Sequence, residues 1–122
     1  MKKLFTLLIP VLLAVLGATA WAAQELVIVN GNHWVDSSHE QKRAYLFGIG
    51  NLLKIEQAMA GDEYESMRGR SIVPVLLEGL AGTPIDKIAT QLDRFYADHS
   101  DQINRPVIEV LYLEMALPNL GN

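Results

Sequence analysis

The segment AYLFGIGNLLKIEQAM, residues 44–59, decides the fold because its apolar residues recur with the spacing of a long helix. An S-x-x-E capping box at Ser37 and Glu40 marks the start of this helix. Gly61 is placed to stop it. We therefore expect a helix that runs from the capping box to about Ala60.

Two further helices are predicted downstream by their start signals. One begins near Ser71, and Pro74 is tolerated in its first turn because that turn needs no internal N–H bonds. The other has Thr83 as its N-cap and Pro84 at its first position. Its apolar residues share one face, which predicts a surface helix with one buried stripe. The residues of this stripe are Ile85, Ile88, Ala89, Leu92, Phe95 and Tyr96.

A fourth helix is predicted to open at Pro106 and to run to Leu117. Its apolar face consists of Val107, Val110, Leu111 and Met115. Residues 25–29, ELVIV, precede all four helices and favour a short extended arm. Together these patterns predict an all-α fold, a compact four-helix domain with a short extended N-terminal arm.

The chain begins with the pattern of a secretory signal peptide. Lys2 and Lys3 precede an apolar run, and Ala20-Trp21-Ala22 fits the small-residue cleavage signal. The apolar run is shorter than the ~20 residues that a membrane-spanning helix needs, so an uncleaved anchor is the weaker alternative. We expect cleavage between Ala22 and Ala23.

Cleavage there divides the chain into a signal peptide, residues 1–22, and a single helical domain, residues 23–122. The expected location is the periplasm or the exterior of the cell, with no stable membrane anchor after cleavage. Loss of the two lysines takes the formal net charge from −4 to −6. Such an acidic chain, without basic clusters, disfavours nucleic acid and favours a protein partner with basic groups.

Two glutamates fall on predicted apolar faces. Glu56 lies beside Leu52, Leu53 and Met59 in the first helix, and Glu114 lies on the apolar face of the fourth. A buried carboxylate needs a partner or takes up a proton, so both are candidate buried polar residues. One interpretation is a carboxylate pair for acid–base work or metal binding. The favoured interpretation is two structural acids, each bonded to an arginine, a tyrosine or helix-end N–H groups.

No catalytic or metal-binding motif is found. The chain has no cysteine, which excludes disulfides, thiolate catalysis and cysteine–zinc sites. Glu56 and Glu114 are not followed by histidine at the third position, as a di-iron bundle would need. Neither H-E-x-x-H nor G-x-S-x-G occurs. The sequence therefore predicts a protein that is not an enzyme, with no catalytic residue, metal or cofactor.

The candidate binding surface consists of aromatic and polar residues in predicted loops. His33 and Trp34 follow the N-terminal arm, and Tyr64 lies in the acidic segment GDEYE, residues 61–65. Exposed aromatic residues beside charges are typical of protein interfaces. The alternative is a solvated loop and a tryptophan packed on the core.

Two segments resemble the Tai-type amidase-immunity proteins. They are YLFGIGNLL and GLAGTPIDKIATQLDRFYADHSDQINRPVIEVLYLEMALP, within residues 44–118. Phe95-Tyr96, the polar turn after them and Leu117-Pro118 occupy places that match the family pattern. The family's usual cysteines are absent, and Ser100 stands where a proline is typical. The resemblance implies a periplasmic helical protein that neutralises a cell-wall amidase delivered by type VI secretion.

Three functions are therefore open at this point. The first is an exported protein that binds a periplasmic protein partner, as an inhibitor or immunity protein, with a homodimer as a further alternative. The second is a periplasmic protein that binds a small ligand or a metal ion through Glu56 and Glu114. The third is a carrier that holds a small ligand in an apolar pocket between helices.

Overall fold

The computed structural model describes residues 25–121, and within this range it contains helices and no strand. The predicted all-α class is therefore confirmed. In chain order the helices are α1 (Gly31–Val35), α2 (His39–Ala60), α3 (Val73–Gly79), α4 (Ile85–Asp98), α5 (Val107–Val110) and α6 (Leu117–Leu120). The predicted signal peptide and its cleavage site lie outside the described residues.

The four predicted helices correspond to α2, α3, α4 and a continuous helix over residues 107–120. The last of these consists of α5, a π-helical segment (Leu111–Ala116) and α6. It extends to Leu120, beyond the predicted end at Leu117, with Pro118 at the start of α6.

The core forms where α2, α3, α4 and the 107–120 helix meet. The predicted stripe of α4 is confirmed, with four of its six residues buried and Ile85 and Phe95 partly buried against the core. The buried apolar residues are Trp34, Leu46, Leu53, Val73, Leu76, Ile88, Ala89, Leu92, Tyr96, Val107, Val110, Leu111 and Ala116. Only Leu46 and Leu53 in this set come from the long helix α2, so most of its surface lies outside the core.

Helix α1 was predicted as a loop, and that prediction is wrong. The Asn30 side chain accepts hydrogen bonds from the N–H groups of Asn32 (3.0 Å) and His33 (3.4 Å). His33 Nδ1 accepts the Asn30 N–H in return, at 3.1 Å. This reciprocal pair caps a single turn of helix, and it uses a histidine where the common capping box has Glu or Gln.

The start of α2 lies one residue later than predicted. Its N-cap is Ser38, which forms a reciprocal capping box with Gln41. The Ser37 hydroxyl instead donates to the His33 carbonyl oxygen at the end of α1, at 2.7 Å. The predicted end is confirmed, since Gly61 follows Ala60 with a φ of +50°.

The N-terminal arm is tied to the start of the 107–120 helix. The Val107 N–H donates to the Val29 carbonyl oxygen at 2.9 Å, and Gly31 N–H donates to the Arg105 carbonyl oxygen at 3.3 Å. The Tyr96 hydroxyl donates to that same Arg105 oxygen at 2.9 Å. These bonds join the arm, α4 and the last helix at one end of the domain.

Candidate functional site

Glu56 is exposed, so its predicted place in the core is wrong. The reason is the side of α2 that packs inward. Leu46 and Leu53 face the core, whereas Leu52, Ile55 and Met59 face solvent together with Glu56. Apolar residues on two sides of one helix made the packed side ambiguous in the sequence.

Glu114 is also exposed, with 43% of its side chain accessible, and the prediction of a buried acid is wrong here too. Its carboxylate accepts a hydrogen bond from Arg105 Nη1 at 2.9 Å. Arg105 also donates through Nε to Glu109 Oε1 at 2.8 Å. Glu114 is therefore an arginine-paired acid, as in the favoured structural interpretation, but at the surface.

The alternative function in which these two glutamates hold a metal ion lacks geometric support. Across residues 25–121, no three His, Asp or Glu side chains come close enough to form a metal site. Glu114 is held by Arg105, and Glu56 has no histidine or carboxylate cluster around it in this range.

Trp34 was a candidate surface aromatic, yet it is 1% exposed. Its Nε1 donates to Asp93 Oδ1 at 2.8 Å, and its ring meets Tyr45 edge-on at 6.4 Å between centroids. Lys42 Nζ lies 5.4 Å from the indole centre and 2.8 Å from the same Asp93 oxygen. The alternative of a tryptophan packed on the core is the one observed.

His33 and Tyr64 do not form one surface with Trp34. His33 is exposed, but its ring nitrogen caps α1. Tyr64 follows the far end of α2, a helix of 22 residues that is about 33 Å long. Its ring packs against the core, and its buried hydroxyl has no hydrogen-bond partner among the described residues. Burial raises the pKa of Tyr64 above its ordinary value.

An exposed apolar row lies along α2 and was not predicted from the sequence. Leu52, Ile55 and Met59 are 61%, 56% and 79% exposed. The same side of the helix continues through Ala44 and Gly48, both exposed. Spacings of three and four residues place all five on one face. We call Ala44, Gly48, Leu52, Ile55 and Met59 the outer row.

Acidic groups lie beside the C-terminal end of the outer row. Glu56 is on α2 itself, and Asp62 and Glu63 follow directly after the helix. All three are exposed, and within residues 25–121 none forms an ion pair with a lysine or an arginine. The outer row is therefore an apolar surface with unneutralised negative charge at one end.

A second feature of α2 is a cleft of about 440 Å³ between α2, α3 and the start of α4. Apolar side chains form most of its walls, among them Phe47, Leu77, Leu80 and Ile85. Lys54 is the one charged residue of the lining within the described part of the chain. A cleft of this size and composition is typical of a small-molecule site.

None of the helices described over residues 25–121 combines the length and the apolar character required to cross a membrane.

Comparison with known proteins gives no match to a protein-family model, to a curated protein or to a solved structure. The resemblance to the Tai-type immunity proteins therefore stays a prediction.

Proposed function

We propose that this chain is an exported, non-enzymatic protein-binding module that docks a partner protein on the outer row of α2. The single observation that carries the proposal is the exposure of Leu52, Ile55 and Met59 on one side of a well-formed helix. Exposed apolar residues scattered singly are ordinary, whereas a continuous apolar row is typical of an interaction site.

Covering this row contributes favourable free energy to the binding of a partner. Full burial of one large aliphatic side chain contributes about 1.5–3 kcal/mol. Leu52, Ile55 and Met59 each have more than half of their surface to bury. Ala44 and Gly48 add a flat stretch, and a Cβ at Gly48 would meet no atom within 4 Å, so a partner can approach the backbone there.

Charge indicates the chemistry of the partner. Glu56, Asp62 and Glu63 have no cationic partner within the described residues, so a partner with lysine or arginine beside an apolar contact is favoured. The resemblance to the Tai-type immunity proteins supports an inhibitory role. We therefore propose an exported cell-wall amidase with a basic, partly apolar surface as the partner.

The test compares purified candidate amidases for binding to the wild type and to two charge variants. Ile55→Glu places a carboxylate in the outer row, and Leu113→Glu is the matched control on the 107–120 helix, where Leu113 is also exposed. We expect Ile55→Glu to weaken binding about 30-fold, or about 2 kcal/mol, and Leu113→Glu to leave it unchanged.

Two results would contradict the proposal. One is equal affinity of the wild type and Ile55→Glu for a bound amidase, which would place the interface elsewhere. The other is self-association through the row. Light scattering would then show a wild-type dimer and an Ile55→Glu monomer, and the occupant would be a second copy of the chain.

A further inference from the structure

The cleft between α2, α3 and α4 has the features of a site for an amphipathic anion. Its walls are mostly apolar, and they come from α2, α3, α4, the loop between α3 and α4, and Leu111 of the 107–120 helix. Such a lining binds a hydrocarbon body by removing it from water, with little requirement for its detailed shape.

The charge at the cleft is a single lysine. Lys54 lines the cleft, no acidic residue does, and Lys54 forms no ion pair within residues 25–121. Asn51, three residues earlier on the same side of α2, brings a side-chain amide to the same rim. A cation and an amide at the edge of an apolar cleft complement a carboxylate head on an apolar tail.

Gly50 gives the cleft part of its width. It lines the cleft from the middle of α2, and a Cβ built on it would meet no atom within 4 Å. The space beside it is therefore open, although an alanine would make a more stable helix by about 1 kcal/mol. A larger side chain at this position would therefore begin at the wall of the cleft without a clash at its Cβ.

From these observations we propose that the cleft binds a linear monocarboxylate with an apolar tail, of the fatty-acid class. The tail lies along Phe47, Leu77 and Leu80, and the carboxylate lies at Lys54. This site is separate from the outer row, because Gly50 and Gly48 of the same helix face different sides.

The test uses the purified protein with dodecanoate and with dodecanol, the neutral molecule of the same length, by calorimetry below the concentration at which either aggregates. We expect dodecanoate to bind at least 10-fold more tightly than dodecanol. Within a series of carboxylates, each added CH₂ group should tighten binding about fourfold until the cleft is full.

Three variants locate the site. Gly50→Leu fills the cleft and should weaken dodecanoate binding at least 10-fold. Lys54→Gln should remove the preference for dodecanoate over dodecanol while dodecanol binding is kept. Gly48→Leu is the matched control, a leucine two residues away on the outer row, and should leave dodecanoate binding unchanged.

The outcomes separate this inference from the docking of a protein. Unchanged dodecanoate affinity in Gly50→Leu, or equal wild-type affinity for dodecanoate and dodecanol, would overturn the inference. Neither result bears on the outer row, which is tested by Ile55→Glu. Conversely, loss of partner binding in Gly48→Leu with normal dodecanoate binding would show two independent sites on α2.

Discussion

The indole of Trp34 and the carboxylate of Asp93 join α1 to α4 by a hydrogen bond of 2.8 Å from Nε1 to Oδ1. Lys42 of α2 reaches the same oxygen at 2.8 Å, so three helices meet at one acceptor. This arrangement explains why a single turn of helix, α1, is held in place, and it makes Trp34 part of the core.

Trp34→Ala should therefore destabilise the protein by about 3–5 kcal/mol, because it removes the largest buried side chain. Asp93→Ala should cost about 1–3 kcal/mol, since it leaves the buried indole N–H without its acceptor. Urea unfolding followed by circular dichroism measures both. Wild-type stability in Trp34→Ala would contradict the structural role.

Glu56 and Glu114 are surface acids, so their neutral variants should fold normally. We expect Glu56→Gln to change the free energy of unfolding by less than about 0.5 kcal/mol. Glu114→Gln loses the ion pair with Arg105 and should cost at most about 1 kcal/mol. Thermal unfolding in metal-free buffer tests this. A large loss of stability in either variant would instead support the prediction that these glutamates are buried.

Two helical glycines should respond to alanine with opposite signs. At Gly79 in α3, a Cβ would overlap the backbone of Ala116, so Gly79→Ala should destabilise by about 1–3 kcal/mol or more. At Gly48 the space is open, so Gly48→Ala should stabilise by up to about 1 kcal/mol. Urea unfolding of both variants measures the two changes in the free energy of unfolding. Changes of the same sign would contradict the packing of α3 on the 107–120 helix.

The loss of folding stability at acid pH should depend on Arg68. Its guanidinium lies 2.7 Å from Glu65 and 2.6 Å from Glu78, and it holds the pKa of each carboxyl below its ordinary value. A carboxyl whose pKa is lowered by folding contributes stability above its unfolded pKa. That contribution is lost as the pH falls through the folded pKa, below about pH 4.

Arg68→Gln should therefore flatten the fall in stability between about pH 4 and pH 2, whereas Arg70→Gln should not. Arg70 is the matched control because it forms no ion pair with a residue in the described range. Thermal unfolding at a series of pH values measures the slope. Identical acid limbs in the wild type and in Arg68→Gln would contradict this origin of the pH dependence.

The sequence predicted some helices better than others for physical reasons. In α4, polar and apolar residues are segregated, so Ile88, Ala89 and Leu92 could be placed in the core from spacing alone. In α2, apolar residues occupy both the packed side and the outer row. Their spacing alone does not show which side packs against another helix. The outer row could still have been predicted as a second apolar face. Its members recur at helical intervals, on a side of α2 that does not include Leu46 and Leu53.

The remaining differences arise from interactions distant in sequence or from unusual caps. The burial of Trp34 depends on Asp93, 59 residues away, and no local pattern indicates that contact. The helix α1 depends on an Asn30–His33 cap, which lacks the usual residue types. Glu114 was predicted to lie in the core because its neighbours are apolar, whereas it is exposed and accepts a hydrogen bond from Arg105.

Site-specific photo-cross-linking in producing cells shows whether a second protein covers the outer row. A photoreactive residue replaces Ile55 in one strain and Leu113 in another, within the full-length chain. We expect an adduct with an exported amidase from position 55 and none from position 113. An amidase adduct from position 113 alone, no adduct from either position, or a product of twice the chain's own mass from position 55 would contradict it.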